Sequence, residues 1–171
     1  MIEEAKSMAD DMQPLVLQAL GTVGDQAYTV AWSDRFDRLA VSVWINDTAY
    51  LVVQDQWGQL STPHKRFVIV HELVHMHGPA LPFAIREGLA DAIACRLVPE
   101  MASKAWSDHL AVQSRSALDA GDLFRQEPRS VDDEAELRAL GFFTVYTLTP
   151  AEVTDLVTVA ERAPDRMLLV H

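Results

Sequence analysis

The chain has 171 residues, 49% of them hydrophobic and 23% charged, with a formal net charge of −11. Such a chain forms one domain (1–171) with a sizeable core and is not broadly disordered. Its acids are spread along the sequence and its densest basic pair is Lys65-Arg66, which argues against nucleic acid as a partner, because phosphates require clustered Lys and Arg. A single cysteine, Cys95, excludes an internal disulfide and fits a reducing compartment. Acids stand where a basic leader is expected, and no apolar run approaches membrane-spanning length. The expectation is a cytoplasmic protein with no membrane partner.

In chain order, Ile2 to Leu20 has helical apolar spacing, with a break or restart expected at Pro14. Three β-rich runs follow, Tyr28–Trp32, Leu39–Ile45 and Ala49–Val53, the last two joined by a tight turn at Asn46-Asp47. Asp55 to Gln59 reads as a loop. Thr62-Pro63 opens a helix with a hydroxyl cap and proline at the first position, and Gly78-Pro79 closes it. This helix is apolar nearly all round, the mark of a central, buried element. Further helices are expected over about 82–98, 100–120 and 133–140, and from Thr149 to near Ala163. Asp122 to Asp133 reads as a polar loop, and 142–148 is ambiguous between strand and helix. The fold class is therefore α+β: a small N-terminal sheet packed on a central helix (1–78), then a mostly helical part (79–171).

The central helix carries His71-Glu72-Leu73-Val74-His75. Histidines four apart lie on one helical face with Cβ atoms roughly 5–6 Å apart, so both imidazoles can reach one zinc ion at ~2.0–2.1 Å. Glu72 follows the first histidine and projects sideways, where it can hold a metal-bound water. The bland alternative is a buried helix with two satisfied histidines. A catalytic zinc needs a third protein ligand. A third histidine returned by a glycine turn is ruled out, because that position is Leu81. Glu87 remains, four residues before Asp91 on a mostly apolar face where unpaired acids are costly. Glu87 can ligate the metal while Asp91 accepts the other ring N–H of a ligand histidine.

His71–His75 followed by Leu81-Pro82-Phe83-Ala84-Ile85-Arg86-Glu87-Gly88-Leu89-Ala90-Asp91 resembles the gluzincin metallopeptidases, especially the peptidase-MA-like group. Ala84-Ile85 stands where that group has Trp-Leu, a difference in packing. The likeness covers about residues 62–98. A weaker similarity is to zinc-peptidase-like regulators that cleave repressors. The resemblance implies a zincin-like fold and a zinc-dependent endopeptidase acting on a peptide or protein, with His71, His75 and Glu87 as ligands. Glu72 is then the general base that takes the water's proton and delivers it to the leaving amine.

It also implies an edge strand that pairs with substrate, for which Ala49–Val53 is the candidate by order and length, and an oxyanion-stabilising side chain, for which Tyr146 and His109 are candidates. His64, two turns before His71 on the same face, either lines the cleft or is a surface histidine, the surface reading being preferred, and His77 is rotated off the ligand face. The competing reading is a non-catalytic or self-inhibited module with a structural zinc, its cleft covered by 122–132 or by the tail to His171.

Overall fold

The computed structural model describes residues 1–22, 27–35 and 38–162. The tail to His171, proposed above as a cover for the cleft, lies outside them. Among the described residues the molecule is α+β and mostly helical, with six α-helices and one three-stranded sheet. Helix α1 (Ile2–Leu20) runs without interruption through Pro14. Pro14 and Asp10, whose carbonyl loses its helical partner, are both exposed, so water can solvate that oxygen. The opposite stripe, Ala5, Ala9, Met12, Val16 and Leu20, is buried and holds the helix to the core.

Strands β1 (Tyr28–Trp32), β2 (Ala40–Ile45) and β3 (Thr48–Val53) form a sheet of order β1-β3-β2. β2 and β3 make an antiparallel hairpin, closed by Asn46 and Asp47 with φ of 50° and 60°, the backbone of a tight primed turn. β1 pairs in parallel with β3, from Tyr28 opposite Ala49 to Trp32 opposite Val53. This corrects one expectation: Ala49–Val53 is the central strand, hydrogen-bonded on both sides, and cannot pair with a substrate. The two edge strands are β1 and β2.

Asp55–Gln59 is a short 3₁₀ turn that buries Trp57 completely. Helix α2 (Thr62–His77) follows; α1, α3, α4 and β2 all pack on it, so both of its sides are covered. Helix α3 (Phe83–Leu97) is buried along nearly its whole length. Helix α4 (Pro99–Gln113) ends about two turns before the end expected at 120, and Ala120–Phe124 forms a separate 3₁₀ turn. Helix α5 (Val131–Tyr146) absorbs the ambiguous 142–148 stretch up to Tyr146, its buried Phe142 and Val145 continuing the stripe begun by Leu137. Helix α6 (Pro150–Arg162) returns to α1, burying Val153, Val157 and Ala160.

The tightest packing is between α3 and α5. They cross at Gly88 and Gly141: a Cβ at Gly88 would run into the Gly141 backbone, and one at Gly141 into the Ala84 carbonyl. Two glycines therefore let the α5 backbone sit against α3, the helix bearing Glu87 and Asp91.

Candidate metal centre

Three elements converge on His71. Helix α2 presents His71 and His75 one turn apart, α3 presents Glu87 and Asp91 one turn apart, and β2 passes alongside. The Nε2 atoms of the two histidines are 2.9 Å apart, and the Glu87 carboxylate oxygens lie 3.5 Å from His71 Nε2 and 3.3 Å from His75 Nε2. A tetrahedral ion with bonds of ~2.0–2.1 Å spaces its ligand atoms about 3.3 Å apart. The trio fits one ion by distance and by its nitrogen and oxygen donors, and among the described residues it is a buried group able to hold a metal. His71 and Glu87 are both buried, polar though they are.

Asp91 sits behind His71, its Oδ1 2.7 Å from His71 Nδ1, so that ring nitrogen is a donor and Nε2 is turned toward Glu87. The second oxygen, Oδ2, accepts from His109 Nε2 at 3.0 Å and from Arg138 at 3.4 Å. Arg138 Nε is also 3.6 Å from Glu87, so one guanidinium from α5 lies against both acids.

The electrostatics follow from this crowding. Burial opposes protonation of His71, yet the adjacent Asp91 charge and its hydrogen bond outweigh it and lift the imidazole from 6.5 to about 10. Burial likewise opposes ionisation of Glu87, but hydrogen bonds from His71 and His75 hold it well below the usual carboxylate range. Asp91 behaves in the same way: burial is overcome by the charge on His71 and the His109 hydrogen bond. Without a metal the site is thus an imidazolium held between two carboxylates. Cys95 one turn further along α3 is a different case. Burial, then the Asp91 charge, pushes its thiol up to about 12, and it is a core residue rather than a nucleophile or ligand.

Glu72 is bonded to β2 and lines a cavity shared with the trio. Its Oε2 accepts from the Ser42 backbone N–H at 2.8 Å and the Ser42 hydroxyl at 3.0 Å. Two cavities open on either side of it, of about 350 Å³ and 420 Å³, both lined by His71, Glu72 and Arg38. The first has His64, Phe67, Gln54 and Arg138 in its walls. The second has Trp44, Phe83, Arg86, Glu127 and Pro128. The Arg38–Glu134 ion pair, 2.6 Å long, ties the approach to β2 to α5 at the boundary between them.

Of the two readings of His64, the cleft-lining one holds. His77 is off the ligand face, 3.2 Å from Gln13 on α1. Glu127 and Pro128, from the polar 122–132 stretch, form one rim of the cleft. Tyr146 and His109, the two oxyanion candidates, are not among the residues lining either cavity. Tyr146 is two turns past Arg138, ~12 Å along the helix axis, and packs against Trp106 and Phe142. His109 reaches the far oxygen of Asp91 instead.

Sequence reasoning missed Arg138, Ser42 and Arg38. Arg138 left a legible trace: it shares a helical face with Gly141, Phe142 and Val145, all buried, where an unpaired cation is costly. Ser42 left none, since its role depends on which strands are the edges. Compared with known proteins, the chain matches no family model, no curated protein and no solved structure.

Proposed function

We propose that this chain is a zinc-dependent metallopeptidase of gluzincin type, with a minimal zincin-like architecture in which the edge strand β2 lies beside the active-site helix. The observation that carries the reading is the convergence of His71 Nε2, His75 Nε2 and Glu87 at metal-ligand spacing, with Glu72 oriented beside them on the cleft wall. Two nitrogens and one carboxylate suit zinc. A zinc ion bound there would supply Lewis acidity and lower the pKa of a water to about 7.

The chain's own residues do the rest. Asp91 fixes the His71 ring, and Arg138 balances the charge of Glu87 and Asp91. Ser42 anchors one oxygen of Glu72, orienting the carboxylate that takes a proton from water and passes it to the leaving amine. The exposed side of β2 offers backbone groups to an extended polypeptide.

The competing reading, a structural zinc in a non-catalytic module, is less well supported. The described residues provide three donors and no fourth, the count of a catalytic rather than a closed site, and His71 lines an open cleft. The test is hydrolysis of unfolded polypeptide by the zinc-loaded protein. Glu72→Gln should abolish turnover by a factor of at least about 10² while still binding one zinc per chain. Retained turnover in that variant would refute the assignment of Glu72.

A further inference from the structure

His109 lies outside the cleft, yet it is bonded to the carboxylate that orients a metal ligand. We infer that His109 is a positioning residue for the metal centre: through Asp91 it holds the His71 ring in the orientation and tautomer that metal binding requires. The inference rests on the metal-centre reading above and goes beyond it by extending the centre to a fourth helix, α4.

Three observations carry it. The contacts form an unbroken chain: His109 Nε2 is 3.0 Å from Asp91 Oδ2, and Asp91 Oδ1 is 2.7 Å from His71 Nδ1. Asp91 is only 2% exposed, so its outer oxygen depends on protein donors, and removing His109 leaves that buried acceptor with only the longer contact from Arg138. The ring of His109 is itself fixed by stacking on Phe142, with centroids 4.3 Å apart and planes 25° apart. That stack aims Nε2 at the carboxylate. Arg138, the other donor to Oδ2, is longer at 3.4 Å and is shared with Glu87. It is the longer of the two contacts to that oxygen.

An acidic carboxylate accepting at both oxygens is pinned in plane and in rotation about its last bond. With the outer bond cut, Asp91 can swing, and His71 Nδ1 loses its fixed acceptor. Outer partners of metal ligands are typically worth 10–100-fold in metal affinity. His109 is one step more remote, so the loss expected is about tenfold, at the lower end of that range.

Two substitutions separate positioning from packing. His109→Phe keeps the aromatic stack on Phe142 and removes the N–H. His109→Gln removes the ring and keeps an N–H donor of similar reach. Zinc affinity is measured by competition with a chromophoric chelator, with the cobalt-substituted spectrum as a second readout. Positioning requires the affinity to follow the donor: about tenfold weaker in His109→Phe with a shifted cobalt spectrum, and near the unsubstituted value in His109→Gln.

Affinity that follows the ring, kept in His109→Phe and lost in His109→Gln, overturns the inference; so does no change in either. Nitrogen-15 spectra of the histidines in the unsubstituted zinc-loaded protein give a check independent of variant folding. The ring of His109 must carry its proton on Nε2, and a proton on Nδ1 alone would overturn the inference. If the unsubstituted chain binds no zinc, the metal-centre reading itself fails; binding that is indifferent to position 109 removes only the role of His109.

Discussion

At His71 a proton and a metal ion would compete for the lone pair of Nε2. In the metal-free protein the imidazole is raised from 6.5 to about 10, so it stays charged at neutral pH. A group whose folded pKa lies above its unfolded value stabilises the fold fully below the unfolded pKa, and that contribution is lost as pH rises through the folded value. Metal-free protein should therefore lose stability between about pH 6.5 and about 10, read as a falling denaturant midpoint. Metal must displace the same proton, so zinc affinity should rise by up to about tenfold per pH unit over this window. Calorimetry in buffers of differing ionisation heat would count the protons released. His71→Ala should remove both dependences. A zinc affinity independent of pH from 6.5 to 9 would contradict the charged state assigned to His71.

Between elements, the α3–α5 crossing decides whether the site can assemble. Glu87 and Asp91 ride on α3, and their counter-charge Arg138 rides on α5 one turn before Gly141. Because the backbones touch at Gly88 and Gly141, no side chain fits between them without separating the helices. Gly141→Ala should cost about 3 kcal/mol or more, since overpacking against backbone has no side chain to yield. It should also weaken zinc binding by drawing Arg138 away from Glu87. A denaturation curve and a zinc titration on the same variant test both, and unchanged values would show that the helices can part freely. The hairpin makes a second point at this scale. Asn46-Asp47 sets β2 against β3 locally, but β1 joins on the far side of β3, leaving β2 as the strand that reaches Glu72.

For the whole molecule, the centre joins helices that are far apart in sequence: α2, α3, α4 and α5 all send a side chain to it. An ion bound by His71, His75 and Glu87 would join α2 to α3 and stabilise the folded state alone. At a free zinc concentration 100 times Kd the gain is about 2.7 kcal/mol. For a chain of this size that raises the thermal midpoint by roughly 5–10 °C. Scanning calorimetry with zinc and then with excess chelator should show the rise and its reversal, and His75→Ala should show neither. Among the described residues no helix is long and apolar enough to cross a membrane.

Much of this was legible in the sequence because it is local. The proline start and glycine stop bound α2, the four-residue spacing puts His71 with His75 and Glu87 with Asp91, and Leu81 excludes a third histidine. These follow from helix geometry, which repeats along the chain whatever surrounds it. What only the tertiary structure decided depends on contacts between distant segments. That β3 is central and β2 an edge rests on β1 pairing in parallel with β3, and that pairing leaves no periodic mark in either strand. Tyr146 and His109 were candidates for the cleft by chemistry alone. The rise along α5 carries Tyr146 past the site, and α4 delivers His109 behind it, to Asp91. Periodicity gives the direction of a side chain around its own helix axis, whereas distance to the metal centre is set by how the helices cross.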